Sequence, residues 1–240
     1  MKLKELCDSL EKELPLSNAE VFEPYTIPDG YPWKDKTTDD CNMYACLYGL
    51  AEPFLKESEY PNVLEIGTGW GISGLTWFRL LAGRGFLHSL DKGDFGQKDN
   101  FTASLALLYE NCPDNTLFDV NKFDTQSMYT QQTPQRRPWI EPADVLFIDG
   151  DHGDWERPWA LFSDLWRFWP LLKPGGLCIC DDLHEQEDYP LGRFPWLPYT
   201  SRSYHSFWFH MKDQIEDSYI WKYPFVPSGK RPVGLLRKKL

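Results

Sequence analysis

The chain has 240 residues, a formal net charge of -11 and a sequence pI near 4.9. This excess of acid argues against a nucleic-acid-binding protein, which needs a basic surface to neutralise phosphates. The basic C-terminal stretch "GKRPVGLLRKKL" is interpreted as a last strand with a solvated end. No stretch approaches the ~18 apolar residues of a membrane-spanning helix, and the charged N-terminus does not resemble a signal peptide. We therefore expect a cytoplasmic protein with a small-molecule substrate, and six reduced, mostly buried cysteines.

The first 60 residues are predicted to form a helical extension. "MKLKELCDSLEKEL" has the pattern of a charged amphipathic helix, and "EPYTIPDGYPW" is broken by prolines and predicts a loop. "TTDDCNMYACLYGLAEPFLKE" begins with N-cap residues and continues with apolar residues at helical spacing. We assign residues 1–60 to this extension and 61–240 to the main domain, together one compact unit. The extension also offers a surface for a homo-oligomer contact.

Strands and helices alternate from Asn62 onwards. The strand segments are "NVLEIG", "GFLHSLD", "TLFDVNKFD", "ADVLFIDG" and "GGLCICDDL", followed near the end by "SYIWKYPFV" and "PVGLLRKK". Because the first five are apolar without alternation, they predict a parallel sheet covered by helices on both faces. The predicted fold class is therefore α/β: a Rossmann-like, doubly wound, mostly parallel seven-stranded sheet with an antiparallel C-terminal strand, preceded by N-terminal helices.

Aromatic residues are concentrated in two later segments. Five of them follow helical spacing and are predicted to form the core face of one helix: Trp155, Trp159, Phe162, Trp166 and Trp169. The aromatic-rich segment 189–209 has two interpretations. It forms either a lid that shapes a substrate pocket or an ordinary packed connection.

The stretch "VLEIGTGWGISG" places a glycine loop directly after the first strand. Its glycines are Gly67, Gly69 and Gly71, and Ile72 stands where the dinucleotide pattern G-x-G-x-x-G needs its third glycine. The phosphate-binding loop pattern also fails, because no G-K-[ST] follows. Glu65 at the strand end would suit a cationic ligand or an amino group better than a pyrophosphate.

"VLEIGTGWGIS" resembles the first motif of the class I S-adenosylmethionine (SAM)-dependent methyltransferases. In that family the glycines let the backbone approach a ligand that carries a sulfonium and an ammonium group, which suits an acidic loop. The resemblance implies that the cofactor-binding residues include Glu65, Gly67, Thr68, Gly69, Gly71, Ser73 and Asp149.

Acidic and polar residues also end the second and third predicted strands. Asp91 follows Gly71 by about 20 residues, the distance at which such folds place an acid on the ribose hydroxyls. By the family resemblance, Asp124, Thr125 and Gln126 at the end of the third strand lie near the adenine.

Four carboxylates follow the fourth and fifth strands. "FIDGDH" contains Asp149 and Asp151, and "CDDLH" contains Asp181 and Asp182. Parallel strands bring their carboxyl ends to one edge of the sheet, where four carboxylates would repel each other. They are therefore either splayed into solvent or held by a hard cation such as Mg²⁺, which prefers oxygen ligands.

"FIDGDH…WPLLKPGG…DD" resembles the metal-dependent O-methyltransferases, including the sugar type of antibiotic biosynthesis and the catechol and caffeoyl-CoA types. The resemblance implies that Asp149, Asp181 and Asp182 bind Mg²⁺ or another divalent cation, and Asp182 favours the sugar type. The sugar type nominates Asp151 as the base that removes the hydroxyl proton, whereas the catechol type nominates the position of His152. We favour His152, a competent base near neutral pH, with Asp151 sharing or orienting its role.

The expected function is divalent-metal-assisted O-methyl transfer from SAM to a small-molecule hydroxyl of sugar or phenol type. Two alternatives stay open: a metal-independent methyltransferase of the same fold, and a non-catalytic module that binds the cofactor or a partner. His184, two residues after Asp182, is a further candidate for substrate contact.

Overall fold

One sheet of seven strands organises the computed structural model, which describes residues 1–39, 41–93, 100–125, 142–150, 158–183, 197–222 and 232–240. In chain order the strands are β1 (Asn62–Ile66), β2 (Phe86–Asp91), β3 (Leu117–Lys122), β4 (Ala143–Ile148), β5 (Leu172–Cys180), β6 (Ile215–Lys222) and β7 (Pro232–Lys238). Their spatial order is β3-β2-β1-β4-β5-β7-β6. Strands β1 to β5 pair in parallel, and β7 is antiparallel to both β5 and β6. The predicted fold class is confirmed.

Seven α-helices within the described ranges cover the two faces of this sheet. They are α1 (Leu3–Leu10), α2 (Asn18–Phe22), α3 (Met43–Lys56), α4 (Ile72–Leu81), α5 (Asn100–Asn111), α6 (Ala160–Phe168) and α7 (Leu197–Met211). Buried residues of α1 to α5 share one hydrophobic cluster with one face of the sheet, and those of α6 and α7 share a second cluster with the other face.

Strand β1 shows how the alternation of side chains builds both clusters. Val63 belongs to the cluster under α1 to α5, whereas Leu64 and Ile66 belong to the cluster under α6 and α7. Successive residues of a strand point to opposite faces, so Glu65 lies on the same face as Val63. This places a carboxylate inside the apolar layer beneath α4.

The N-terminal helices are packed onto the main sheet. Leu6, Val21 and Leu50 lie in the same cluster as the strands. The backbone N–H of Leu3 donates to Asp217 at 2.8 Å, which ties α1 to β6. Residues 1–60 therefore contribute to the core that supports the sheet.

The predicted aromatic core face of α6 is wrong for Trp159 and Trp166, and Trp155 lies outside the described residues. The buried residues of α6 are Ala160, Leu161, Asp164, Leu165 and Phe168. Trp159 and Trp166 are 53% and 56% exposed, and Phe162 stacks on Trp166 with 6.0 Å between the ring centroids. The face of α6 that contains Leu161 and Leu165 packs on the sheet. The aromatic residues of α6 therefore pack against one another and against α7. Trp169, in a 3-10 turn after α6, is buried as expected.

The cysteines are reduced and mostly buried, as expected from the sequence. All six cysteines are free, and five of them are buried. None of the helices in the described part of the chain is long and apolar enough to cross a membrane.

Candidate active site

The glycine loop turns the chain from β1 into α4 through three left-handed residues. Gly67, Gly69 and Gly71 have φ angles of 95°, 53° and 82°, a region that residues with a Cβ rarely adopt. The N–H of Gly71 donates to the carbonyl of Thr68 at 2.8 Å, which closes the turn. The glycines predicted from the sequence are therefore needed for the path of the backbone.

Gly67 and Gly69 differ in the space that is available for a side chain. A Cβ on Gly67 would lie 2.2 Å from the carbonyl oxygen of Asp149, so the loop is in backbone contact with the end of β4. A Cβ on Gly69 would have nothing within 4 Å. Open space therefore lies beside the main chain at Gly69, so a ligand could approach the backbone there.

Asp91 holds the loop from the end of β2. Its Oδ2 accepts the N–H of Gly69 at 2.9 Å, and its Oδ1 accepts the N–H of Gly93 at 2.5 Å. Each carboxylate oxygen has a second lone pair, so this geometry leaves acceptor capacity for a ribose hydroxyl. Asp91 therefore lies at the end of β2 next to Gly69, and its contact with a ribose stays a prediction.

Asn100 contacts this loop from outside it and was missed in the sequence analysis. It is buried at the start of α5, and its Nδ2 donates to the carbonyl of Gly69 at 2.9 Å. A helix-starting asparagine shortly after the predicted ribose acid was the available signal. With Asp91 it holds the N–H and the carbonyl of Gly69 from two different elements.

Glu65 is completely buried and its carboxylate is bound by protein donors. Trp77 Nε1 donates to Oε1 at 2.9 Å and Ser89 Oγ donates to Oε2 at 2.5 Å, while the Ser73 hydroxyl also hydrogen-bonds the carboxyl group. Burial raises the pKa of Glu65, and these hydrogen bonds only partly oppose the rise. Direct contact of Glu65 or Ser73 with a cofactor stays a prediction, because both side chains point into this network.

Thr68 extends the same network toward the loop. Its hydroxyl lies 2.5 Å from Ser89 Oγ, and the residue is buried. A chain of hydrogen bonds therefore runs from the glycine loop through Ser89 to Glu65. The fully buried carboxylate thereby fixes the loop from below.

The end of β3 lies next to Asp91. The N–H of Phe123 donates to the carbonyl of Asp91 at 2.7 Å, which brings Asp124 and Thr125 to the same edge. Asp124 is exposed, and Thr125 is buried with its carbonyl bound by Arg167. Gln126 lies outside the described residues. The ends of β1, β2 and β3 thus form one continuous edge on which a nucleoside can lie.

The acids at the ends of β4 and β5 share this edge. Ile148 pairs with Cys180, so Asp149 and Asp181 are the next residues along neighbouring parallel strands. Asp181 is buried, whereas Asp149 and Asp182 are half-buried. Asp182 has a φ of 51°, and its carbonyl accepts the Thr200 hydroxyl at 2.9 Å. The predicted convergence of the strand ends is present in the backbone.

The side chains of these acids do not by themselves form the predicted magnesium site. Within the described ranges, no three His, Cys, Asp or Glu side chains form a group that could hold a metal ion. All three predicted ligands lie in those ranges. The other candidates on this edge, Asp151, His152 and His184, lie outside the described residues, so their predicted roles stay predictions.

Asp164 is a second residue that the sequence analysis missed. It is fully buried on the sheet-facing side of α6, and its Oδ2 would lie 3.8 Å from a Cβ on Gly150. Its charge also helps to raise the pKa of Cys180, after the larger effect of burial. An acid on the face formed by Leu161, Leu165 and Phe168 was the signal. Asp164 therefore lies beneath the turn that carries Asp149.

The strand ends can be compared with the needs of two ligands, a nucleoside and a metal ion. Open space beside the main chain at Gly69, Asp91 at the end of β2 and polar residues at the end of β3 are compatible with a nucleoside. A metal ion does not fit the carboxylates that are described, because no group of three is present. The location of the methyl-donor site therefore stays a prediction, and the described carboxylates do not by themselves form the predicted metal site.

Comparison with known proteins identifies the family of this chain. Residues 64–183, which are 120 of the 240, match the family model described as a methyltransferase domain. No curated protein matches the sequence.

Three solved structures have a similar fold. The O-methyltransferase TomG from Streptomyces achromogenes, involved in tomaymycin synthesis and in complex with SAM, is 16% identical with a TM-score of 0.59, over 99% of this chain and 89% of that chain. An O-methyltransferase from Bacillus cereus in complex with SAH is 17% identical with a TM-score of 0.55, over 99% and 90%. The SAH-bound methyltransferase PaMTH1 of Podospora anserina is 14% identical with a TM-score of 0.53, over 97% and 96%. At these identities the structures establish the fold, and the family match confirms the class I methyltransferase predicted from the glycine loop.

Proposed function

The chain belongs to the methyltransferase-domain family, and on this premise we propose that it transfers the methyl group of SAM to a hydroxyl group of a small molecule. One observation carries the proposal. The main chain at Gly69 has open space beside it and is bound by Asp91, and it lies at the same edge of the sheet as the acids that follow β4 and β5. A donor bound at the glycines would thus face a polar region suited to a hydroxyl acceptor, and TomG and the Bacillus cereus enzyme are both O-methyltransferases by name.

The proposed chemistry needs binding, orientation and one proton transfer. When bound, SAM supplies a methyl group activated by positive sulfur, and the acceptor oxygen forms the new C–O bond as the C–S bond breaks with its electron pair staying on sulfur. Gly67, Gly69 and Gly71 hold the donor against the backbone, and Asp91 accepts from the ribose. Holding both reactants in line supplies much of the rate acceleration.

A base must take the hydroxyl proton, and the sequence offers two neighbouring candidates. We assign this role to His152, with Asp151 sharing or orienting it. An imidazole with a pKa near 6.5 is a competent base at neutral pH. His152→Ala and Asp151→Asn test the assignment. The variant of the true base should lose activity about 100-fold or more while keeping donor affinity.

Assistance by a divalent metal is a separate hypothesis, based on the resemblance of the acidic motifs. Activity should be measured before and after EDTA treatment and after adding back Mg²⁺. A loss that Mg²⁺ restores supports the hypothesis. Unchanged activity after chelation refutes it and favours the metal-independent alternative.

Donor binding and methyl transfer should be measured separately. Titration calorimetry with SAM and SAH tests the donor site, and mass spectrometry of sugar and phenol acceptors tests for a gain of one methyl group. Lack of donor binding at millimolar concentration would remove the proposal. Donor binding without transfer to any hydroxyl acceptor would favour the non-catalytic module. The net charge of -11 favours a small acceptor over a nucleic acid.

Compartment and assembly remain predictions. Six free thiols are in keeping with the reducing cytoplasm expected from the sequence. A homo-oligomer through the N-terminal helices would be detected by light scattering.

A further inference from the structure

A tyrosine of the N-terminal extension is hydrogen-bonded to the glycine loop. The hydroxyl of Tyr31 donates to the carbonyl oxygen of Trp70 at 2.8 Å. The two rings also meet edge to face, with 6.2 Å between their centroids and an interplanar angle of 84°. Trp70 lies between Gly69 and Gly71, so this contact reaches the centre of the loop.

The segment around Tyr31 is itself held in place. Lys34 Nζ donates to the carbonyl of Ile27 at 2.8 Å and to Asp29 at 2.6 Å. The N–H of Tyr31 donates to Pro28 at 3.1 Å, and the carbonyl of Tyr31 accepts from Lys34 at 3.2 Å. The Tyr31 ring packs against the same hydrophobic cluster as α3 and α4. The hydroxyl is therefore presented by a supported turn.

The Tyr31 hydroxyl is a stable donor. Burial raises the pKa of Tyr31 to about 12, so the group keeps its proton throughout the neutral range. Its acceptor is a main-chain carbonyl, so the bond constrains the backbone of the loop directly.

The loop is fixed at several points, and Tyr31 supplies one that comes from outside the main domain. Asp91 binds the N–H of Gly69, and Asn100 binds its carbonyl. Tyr31 binds the next carbonyl along the chain, that of Trp70. A loop held in its bound form before the ligand arrives loses less freedom on binding, which increases affinity.

We propose that Tyr31 is a positioning residue of the donor site, through which the N-terminal extension holds the glycine loop in the form that binds the methyl donor. This inference rests on the proposed function, because it concerns the affinity of the same site for SAM. The donor site then includes residues 27–34, whereas all the donor-site residues predicted from the sequence lie in the main domain.

Tyr31→Phe is the sharpest test, because it removes the hydroxyl and keeps the ring. Loss of one hydrogen bond should raise the Kd for SAM and SAH about 3- to 10-fold. The KM for SAM should rise in proportion, while kcat at saturating SAM and the KM for the acceptor stay the same. Tyr25→Phe is the matched control, since Tyr25 is in the same segment and packs against the same cluster. It should leave donor affinity unchanged.

Hydrogen exchange without ligand gives a second readout. Amides of residues 66–72 should exchange faster in Tyr31→Phe than in the wild type or in Tyr25→Phe, while those of β4 and β5 should not change. The unchanged strands show that the variant is folded.

The outcomes separate the two proposals. If the wild type binds SAM and Tyr31→Phe binds it equally well, with equal exchange in the loop, the role of Tyr31 is refuted. If the wild type does not bind SAM, the proposed function fails, and faster exchange of the loop in Tyr31→Phe would still support the contact as a constraint on the loop.

Discussion

Gly67 and Asp149 are in contact through their backbones: a Cβ on Gly67 would lie 2.2 Å from the carbonyl oxygen of Asp149. This contact joins the glycine loop after β1 to the end of β4. The N–H of Asp149 also donates to the carbonyl of Ile66 at 2.8 Å. The donor side and the acid side of the site are therefore built as one unit, and a change at Gly67 is expected to disturb both.

Gly67→Ala and Gly69→Ala should have different effects although the two glycines look equivalent in the sequence. In Gly67→Ala the methyl group collides with backbone, so we expect a loss of about 2–4 kcal/mol in the free energy of unfolding. In Gly69→Ala the methyl group enters open space, and the left-handed backbone costs about 1 kcal/mol. The methyl group would then occupy the open space beside Gly69 where we propose that SAM binds, so the Kd for SAM should rise about 10-fold or more.

Urea denaturation and calorimetry distinguish the two effects. Gly69→Ala should be nearly as stable as the wild type but bind SAM weakly. Normal donor affinity in Gly69→Ala would show that SAM does not bind in the open space beside this residue.

Glu65→Gln should change how stability depends on pH. Burial raises the pKa of Glu65 in the folded state above its ordinary value of 4.5. Above pH 4.5 the folded state therefore binds more protons than the unfolded state, and the free energy of unfolding falls as pH rises until the folded-state pKa is passed. Glutamine has no such titration, so the variant should become more stable relative to the wild type as pH rises above about 4.5.

The measurement is urea denaturation at several pH values above about 4.5. Each unit by which the pKa is raised corresponds to about 1.4 kcal/mol of relative stability. Glu57→Gln, at an exposed position, is the control and should show no such trend. A constant difference between wild type and Glu65→Gln would contradict the assignment of a raised pKa.

Much of the fold and the backbone of the donor site could be predicted from the sequence. The apolar strands gave the parallel sheet, and the glycine spacing identified the loop whose left-handed residues require it. Asp91 was found because its distance from Gly71 reflects one strand and one helix of the fold. These features depend on local sequence and on the regular geometry of α/β units.

Features that depend on which way a side chain points could not be predicted. The hydrogen-bond partners of Glu65 are one example: its place on the inward face of β1 brings the carboxylate to the donors Ser89 and Trp77, which the sequence did not indicate. The aromatic stripe of α6 has helical spacing, yet a neighbouring face with Leu161 and Leu165 fits the sheet better. Periodicity shows that a helix has an apolar face but does not choose between two adjacent ones.

Contacts between residues far apart in sequence were also out of reach. Nothing in "EPYTIPDGYPW" indicates that Tyr31 binds Trp70, because the contact depends on how the extension folds back over β1. For Asn100 the position at the start of α5 was a signal, but its acceptor, the carbonyl of Gly69, could not be predicted. Hydrogen bonds to a main-chain carbonyl leave no motif in the sequence of the acceptor.

The six cysteines should differ in their rates of alkylation. Burial raises the pKa of Cys7 to about 12, and it also raises those of Cys46 and Cys180, so little of the reactive thiolate is present at neutral pH. Cys112 is half-buried, whereas the other five are buried. Its pKa is also raised, so it should react slowly but before the others.

Iodoacetamide labelling at pH 7.5 followed by mass spectrometry of the peptides tests this order. In urea all six should be labelled at similar rates. Labelling of Cys46 or Cys180 in the native protein as fast as Cys112 would contradict the packing of these residues.

Asp164→Asn and Asp144→Asn form a matched pair of variants near the two ends of β4. Asp144 is at the start of β4, where it binds Lys173 Nζ at 2.8 Å and the N–H of Asn62 at 2.8 Å. Asp164 lies beneath Gly150, next to the turn that carries Asp149. Both variants should lose about 1–3 kcal/mol in the free energy of unfolding, because Asp144→Asn weakens the ion pair with Lys173 and Asp164→Asn alters a fully buried polar group.

Only Asp164→Asn should impair the reaction. A small displacement of the turn after β4 misplaces Asp149 and the predicted base, and misplacement of about 1 Å reduces a rate about 100-fold. We therefore expect kcat to fall about 10- to 100-fold in Asp164→Asn, with a Kd for SAM within about twofold of the wild type. Asp144→Asn, assayed well below its unfolding temperature, should keep the wild-type kcat. If both variants lose activity only in proportion to their loss of stability, Asp164 has a structural role and does not position the acids of the site.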